Sequence, residues 1–266
     1  MAHSLNSKQI NEFFSRGWTV APNLFDSSEI QRMREAFDRL EVMAEYIKTP
    51  QLYKGSSFVL GEKNGKTIIH RIVWCGAAEP VLSEFGKDPR LVNMAAQLLG
   101  SRTMQQLINQ AHFKLPGDGV VFDWHQDIQH RQKNADDWRD LNGRGSYVQT
   151  ILTLDDMTLE NGPLLLIPES HKQGRIDLGG DSYAGATKKV DPPNAKKAEM
   201  AVLAAGGVLL FGPYTIHGSF ENQSSRSRRV LINGFAYPGA NSRAYPGEGS
   251  GRILTCEESL QVDLLP

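Results

Sequence analysis

The chain has 266 residues, 40% of them hydrophobic and 22% charged. That composition supports a sizeable core and excludes wholesale disorder. With 29 basic and 30 acidic residues the formal net charge is −1, which leaves no electrostatic footprint for nucleic acid or an anionic membrane. The two cysteines, Cys75 and Cys256, are too few for a disulfide framework or a zinc site and read as unlinked thiols in a reducing compartment.

The N-terminus, Met1 to Lys8, carries neither the basic nor the apolar region of a secretory signal. No apolar run approaches the ~20 residues that span a bilayer. The expectation is a cytoplasmic protein. Ser7 to Arg16 places Ile10, Phe13 and Phe14 at helical spacing, with Gly17 as a stop. A short strand, Trp18 to Ala21, follows. Asp26-Ser27-Ser28-Glu29 is an N-cap with an acidic residue three positions on. It opens a helix through Ile30, Met33, Phe37, Leu40 and Met43. A further helix is expected from Pro89 to Leu99, ended by Gly100.

From Arg102 onward the pattern changes to strands and turns. Met104 to Lys114, Tyr147 to Leu154, Gly162 to Ile167, Val208 to Phe211 and Arg229 to Ala236 all read as strands. Pro116-Gly117 and Asn161-Gly162 are turn signals. Helices first and strands afterwards predict an α+β chain, a β-sandwich or barrel buttressed by N-terminal helices, in one domain over residues 1–266. Two long polar stretches, Gln129 to Gly145 and Lys172 to Glu199, are expected to include a cover for an active site.

The residues that carry chemistry are His125-Gln126-Asp127, answered downstream by His217 and Arg228. Two imidazoles and one carboxylate are the ligand set of a mononuclear non-haem iron(II) site with open positions. If His125 and Asp127 lie on one strand, their i, i+2 spacing puts both on one face. A guanidinium at Arg228 suits bidentate pairing with a co-substrate carboxylate. Arg226 and Arg229, in the same basic run, read as solvated surface.

With these blocks in place, the chain resembles the phytanoyl-CoA dioxygenase-like branch of the Fe(II)/2-oxoglutarate-dependent oxygenases, which also includes ectoine hydroxylase. The likeness covers nearly the whole chain, from Gln9-Ile10-Asn11-Glu12-Phe13 and Gly17-Trp18-Thr19-Val20 through Asp88-Pro89-Arg90-Leu91. It continues in Leu154-Asp155-Asp156-Met157-Thr158, Glu160-Asn161-Gly162-Pro163-Leu164 and Ile167-Pro168-Glu169-Ser170-His171-Lys172, and ends in His217-Gly218-Ser219 with Asn222 and Arg228. Glu169 departs from the family, which usually has glycine there, and the metal set is unaffected. The resemblance implies a double-stranded β-helix, a cupin-like jelly-roll. It implies Fe(II) on His125, Asp127 and His217, and 2-oxoglutarate gripped by Arg228 with help from Ser219. Dioxygen would be the oxidant and ascorbate a stimulant.

Several further candidates come from strand periodicity. Gln110, His112 and Lys114 alternate on one face, and Gln110 is assigned to 2-oxoglutarate. Gln149, Ile151 and Thr153 share a face, with Thr150 on the other. Periodicity does not choose between the threonines, and Thr150 is assigned to the co-substrate. His112, with Gln129, His130 and Arg131 directly after the iron motif, is assigned to substrate. Arg243 reads as surface. His171 reads as structural, and His3 and His70 as unrelated to metal.

The expected reaction is hydroxylation of a small polar or zwitterionic metabolite (an amino-acid derivative, a compatible solute or an aminophosphonate) with release of succinate and carbon dioxide. Asp127 argues against halogenation, because a small residue there would free a position for halide. Desaturation, epoxidation or cyclisation of a natural product, or action on an acyl-CoA, would use the same iron site. A redox-neutral cupin-type enzyme or a non-catalytic binding protein are the readings from other classes.

Overall fold

Local chemistry sets the ends of the N-terminal elements. In a computed structural model, which describes residues 3–178 and 191–264, helix α1 spans Ser7–Arg16 and is capped by Asn6 in a reciprocal box with Gln9. Gly17 ends it in the left-handed region, at φ 107°. Strand β1 (Trp18–Ala21) follows. Asp26 caps α2 (Ser27–Ile47) by accepting from the amides of Ser28 and Glu29, a cap of about 1 kcal/mol. Its buried stripe is Ile30, Met33, Ala36, Phe37, Leu40 and Ala44.

Next come three strands that the sequence patterns above do not include: β2 (Gln51–Tyr53), β3 (Ser56–Lys63) and β4 (Lys66–Val73). β3 and β4 form a hairpin across Asn64-Gly65, with φ 54° and 75°. Positive φ at both central residues matches the right-handed twist of the strands. Helices α3 (Cys75–Ala78), α4 (Pro80–Gly86) and α5 (Pro89–Leu99) then lead to Gly100, left-handed at φ 67°.

The strand-rich part runs β5 (Thr103–His112), β6 (Phe122–His125), α6 (Ile128–Arg131), β7 (Tyr147–Thr153), β8 (Leu165–Leu166), β9 (Glu199–Met200), β10 (Val208–Phe211), β11 (His217–Ser219), β12 (Val230–Ala236) and β13 (Arg252–Thr255). Among the described residues there are two antiparallel sheets. The larger has the order β1-β10-β7-β12-β5-β4-β3-β2 with β13 also on β5, and the smaller is β6-β11-β8-β9. From β5 to β12 the chain passes back and forth between them, which fits the expected jelly-roll.

The large sheet sorts its side chains by alternation. On β7 and β12, Val148, Leu152 and Leu231 join the core shared with α2 and α5. Tyr147, Ile151, Val230 and Ile232 point the other way, into a second apolar cluster with Leu166, Leu209 and Phe211. A cavity of about 200 Å³ opens on that second side. Of the expected cover, residues 179–190, including Gly179, Gly180 and Gly185, lie outside the described residues. No helix among the described residues is long and apolar enough to cross a membrane. Cys75 and Cys256 are buried and unlinked.

Candidate active site

His125 ends β6 and His217 begins β11, and the two are direct partners in the antiparallel register. Their ring centroids are 4.2 Å apart. Each ring uses Nδ1 on the backbone, His125 to the Asp123 carbonyl at 2.7 Å and His217 to the Thr215 carbonyl at 2.9 Å. A carbonyl only accepts, so Nδ1 carries the proton and Nε2 is left as a lone-pair donor. Burial holds both imidazoles below their ordinary pKa, His217 at about 4. Both are therefore neutral at pH 7, the state a metal requires.

Asp127 departs from the strand expectation. β6 stops at His125, and Asp127 has helical backbone (φ −59°, ψ −28°) at the N-cap of α6. Its carboxylate reaches the histidines from a turn, because its own carbonyl already accepts the amides of His130 and Arg131. Its Oδ2 is buried without a partner. One ligand atom from each of His125, Asp127 and His217 lies within 4.8 Å of the others. Neutral nitrogens, an orphaned carboxylate oxygen and this spacing fit a divalent metal such as Fe(II).

A second pair of orphaned atoms faces the same cavity. Arg228 Nη2 donates to the Gly162 carbonyl at 2.6 Å, but its Nε has no partner, and neither has Ser219 Oγ. Both residues are 3% exposed and both line the cavity. Burial lowers the Arg228 pKa to about 10, so it stays cationic at pH 7. Buried unsatisfied donors cost about 1–3 kcal/mol each, and one carboxylate would satisfy both. Gly162 itself packs against the Phe220 backbone. It is left-handed at φ 71°, and a Cβ there would lie 2.6 Å from the Phe220 carbonyl.

The structure brings most of the expected residues to this cavity. Gln110, His112, His130 and Arg131 line it. His112 Nε2 meets Gln110 Oε1 at 2.9 Å, and its ring lies 5.1 Å from that of Phe122. Arg131 points back at the protein. Its Nη2 donates to Tyr147 Oη at 2.9 Å and lies 3.9 Å from Asp127 Oδ1. Arg243, read as surface, lines the cavity and donates through Nη1 to the His130 carbonyl.

Three further readings need correction, those of Thr150, Gln129 and Arg229. Thr150 is fully buried on the helix side of β7, bonded to the Asn233 carbonyl at 3.3 Å. Gln149 and Ile151 are the β7 residues that line the cavity. Thr153 is also buried, with its hydroxyl on the carbonyls of Ala204 and Gly207. Gln129 folds back to accept from the amide of Gln126 and is absent from the lining. Lys114, on the same face by alternation, is buried, donates to the carbonyls of Val120, Ser219 and Phe220, and has its pKa lowered to about 6 by burial. Arg229 is paired with Asp155 and Asp38 instead of solvated.

The sequence patterns missed Arg71, Lys133 and Tyr245, all of which line the cavity. Arg71 sits on β4 directly opposite His112. The hairpin signal Asn64-Gly65 would have found that strand.

The family model for phytanoyl-CoA dioxygenase (PhyH) matches residues 13–230. The chain is similar to the ectoine dioxygenase of Bordetella bronchiseptica, at 26% identity over 239 residues, 84% of this chain and 72% of that protein. It is also similar to the L-proline trans-4-hydroxylase of Streptomyces griseoviridis, at 25% identity over 238 residues, 81% of each. Among solved structures it resembles EvdO2 from Micromonospora carbonacea var. aurantiaca complexed with 2-oxoglutarate. The TM-score is 0.66 at 22% identity, covering 92% of this chain and 97% of that one.

Proposed function

This chain belongs to the phytanoyl-CoA dioxygenase family, and from that premise we propose that it hydroxylates a small polar or zwitterionic metabolite. It is a 2-oxoglutarate-dependent dioxygenase. The observation that carries the reading is the pairing of two incomplete sites in one cavity. Asp127 Oδ2 and the two imidazoles form a donor set for a cation, and Arg228 Nε with Ser219 Oγ forms one for an anion.

His125, Asp127 and His217 would hold Fe(II). Arg228 and Ser219 would hold the distal carboxylate of 2-oxoglutarate. The iron supplies the oxidising chemistry, in which 2-oxoglutarate and dioxygen become succinate and carbon dioxide as one oxygen atom enters the substrate. The protein's own part is orientation and exclusion of water. The backbone carbonyls of Asp123 and Thr215 fix the imidazole tautomers, the second layer that tunes a metal site. Phe122, Ile108, Ile151, Val230 and Ile232 supply the apolar wall.

A cavity of about 200 Å³ suits a small metabolite better than a long acyl chain. The relatives named above act on ectoine and on proline, small zwitterions of the kind proposed here. We read residues 1–266 as one dioxygenase domain with a double-stranded β-helix core, working in the cytoplasm. The test is succinate release from 2-oxoglutarate with Fe(II), alone and with a panel of amino acids, cyclic zwitterions and aminophosphonates. Release that needs Fe(II), needs Arg228 and rises with at least one small zwitterion is expected. Release unaffected by chelation of iron would sink the reading.

A further inference from the structure

Gln126 stands between two residues of the metal set and is fully buried. His125 ends β6 with its ring toward His217, so alternation turns the Gln126 side chain to the other side of the chain. There its amide meets two separate segments. Nε2 donates to the Tyr214 carbonyl at 2.7 Å and to the Gly174 carbonyl at 2.8 Å, and Oε1 accepts from the Ile176 amide at 2.9 Å. Both amide hydrogens are thereby used, as burial of a polar group demands.

These bonds bear on Asp127. The register of β6 and β11 sets His125 directly against His217. Asp127 lies past the end of β6, where that ladder no longer fixes it. Two bonds tie its turn to the segment that leads to His217, one on each side of Asp127. They are Gln126 Nε2 to the Tyr214 carbonyl, and the Ile128 amide to the Pro213 carbonyl at 3.0 Å. The next residue, Thr215, carries the carbonyl that holds His217 Nδ1.

The same amide reaches residues 174–176, at the start of the second long polar stretch. Beyond them, Ile176 and Leu178 pack with Ile167, Ile216 and Trp124. Release of this segment would remove two of the three bonds that fix the Gln126 amide, and the turn at Asp127 would lose part of its hold.

We propose that Gln126 is a positioning residue. It sets the Asp127 carboxylate against the two imidazoles, and it couples metal occupancy to docking of residues 174–178. The inference rests on the reading of His125, Asp127 and His217 as a metal set. The coupling is reciprocal: the docked segment raises metal affinity, and bound metal makes the segment harder to release.

Titration calorimetry with Mn(II), a metal that oxygen and imidazole donors also take, compares the parent with Gln126→Met. That variant keeps an unbranched side chain of similar length without its hydrogen bonds. Mn(II) affinity should fall about 10- to 100-fold, as for other groups that orient a metal ligand. Urea unfolding without metal reads the purely structural share. Lower stability with unchanged Mn(II) affinity would overturn the proposal.

A second measurement needs no variant, and it decides the matter where Gln126→Met does not fold. Saturating Mn(II) should slow hydrogen exchange of the Ile176 amide in the parent by about 10-fold more than it slows the amides of α2, across the large sheet. Equal slowing at both places, or none at Ile176, would overturn the proposal. Absence of Mn(II) binding by the parent would overturn the metal set itself, so the two failures are distinct.

Discussion

The two ends of the cavity each bury an arginine whose Nη2 is bonded and whose Nε meets no hydrogen-bond partner, and they differ in what surrounds the rest of the guanidinium. At the Ser219 end, Arg228 Nε and Ser219 Oγ are buried with no partner in the fold. At the Tyr147 end, Arg131 Nη2 donates to Tyr147 Oη and approaches Gln149 Oε1, and Tyr147 Oη donates on to Gln149. The rings of Tyr147 and Tyr245 flank the Arg131 guanidinium at 4.8 and 5.4 Å. The two arginines are almost equally buried, at 3% and 5% exposed. Burial therefore does not separate the two arginines; the side chains around them do. In the proposed reading the first end would take the co-substrate, while the second is tied together 3.9 Å from Asp127 Oδ1.

The sharpest way to break this contrast starts at the metal. Asp127→Ala removes the only carboxylate that the described lining supplies, and Fe(II)-dependent succinate release should fall to background while the fold remains. Full activity in that variant would end the metal assignment. Arg228→Gln comes next. It deletes a buried charge-assisted contact of ~2–4 kcal/mol, so the KM for 2-oxoglutarate should rise about 30- to 1000-fold. Metal affinity should not move with it. Arg131→Met tests the other end. Its guanidinium lies 3.9 Å from Asp127 Oδ1 and faces away from the co-substrate, so metal affinity should fall about 10- to 100-fold, as for other groups that orient a ligand. Isothermal titration with Fe(II) under argon reads this directly. If Arg131→Met instead raises the KM for 2-oxoglutarate and spares metal binding, the two ends are not distinct.

Legibility in the sequence followed the range of the interactions. α1, β1 and α5 fall where the sequence puts them, because Asn6, Gly17, Asp88 and Gly100 act within a few residues. His125, His217 and Arg228 were found through ordered blocks, since their meeting is a product of strand register and leaves no local mark. The backbone of Asp127 was not legible, because i, i+2 spacing reads the same in a strand and in a tight turn that opens a helix. Arg71 was missed because its strand lies in the Gln51–Val73 stretch, where Asn64-Gly65 is the one clear local cue. Arg243 and Tyr245 lie in a glycine-rich segment before β13 that has no periodicity to read. Arg131 and Arg228 are alike in sequence, and only their partners in space set them apart.

The smallest effect probes the face assignment on which the contrast depends. Thr150 is buried between Val148 and Leu152, which pack toward the helices, and its hydroxyl meets the Asn233 carbonyl at 3.3 Å. Valine has nearly the same shape, so Thr150→Val deletes one long neutral hydrogen bond. Stability in urea should drop by about 0.5–1.5 kcal/mol. The KM for 2-oxoglutarate should stay within about twofold of the parent, because a single neutral contact turned away from the ligand has no differential effect on its binding. Gln149→Leu, one residue along and on the cavity side, should disturb Tyr147 and Arg131 and hence metal affinity. If Thr150→Val raises the KM as Arg228→Gln does, the alternation on β7 is reversed, and the division between a ligand end and a structural end falls with it.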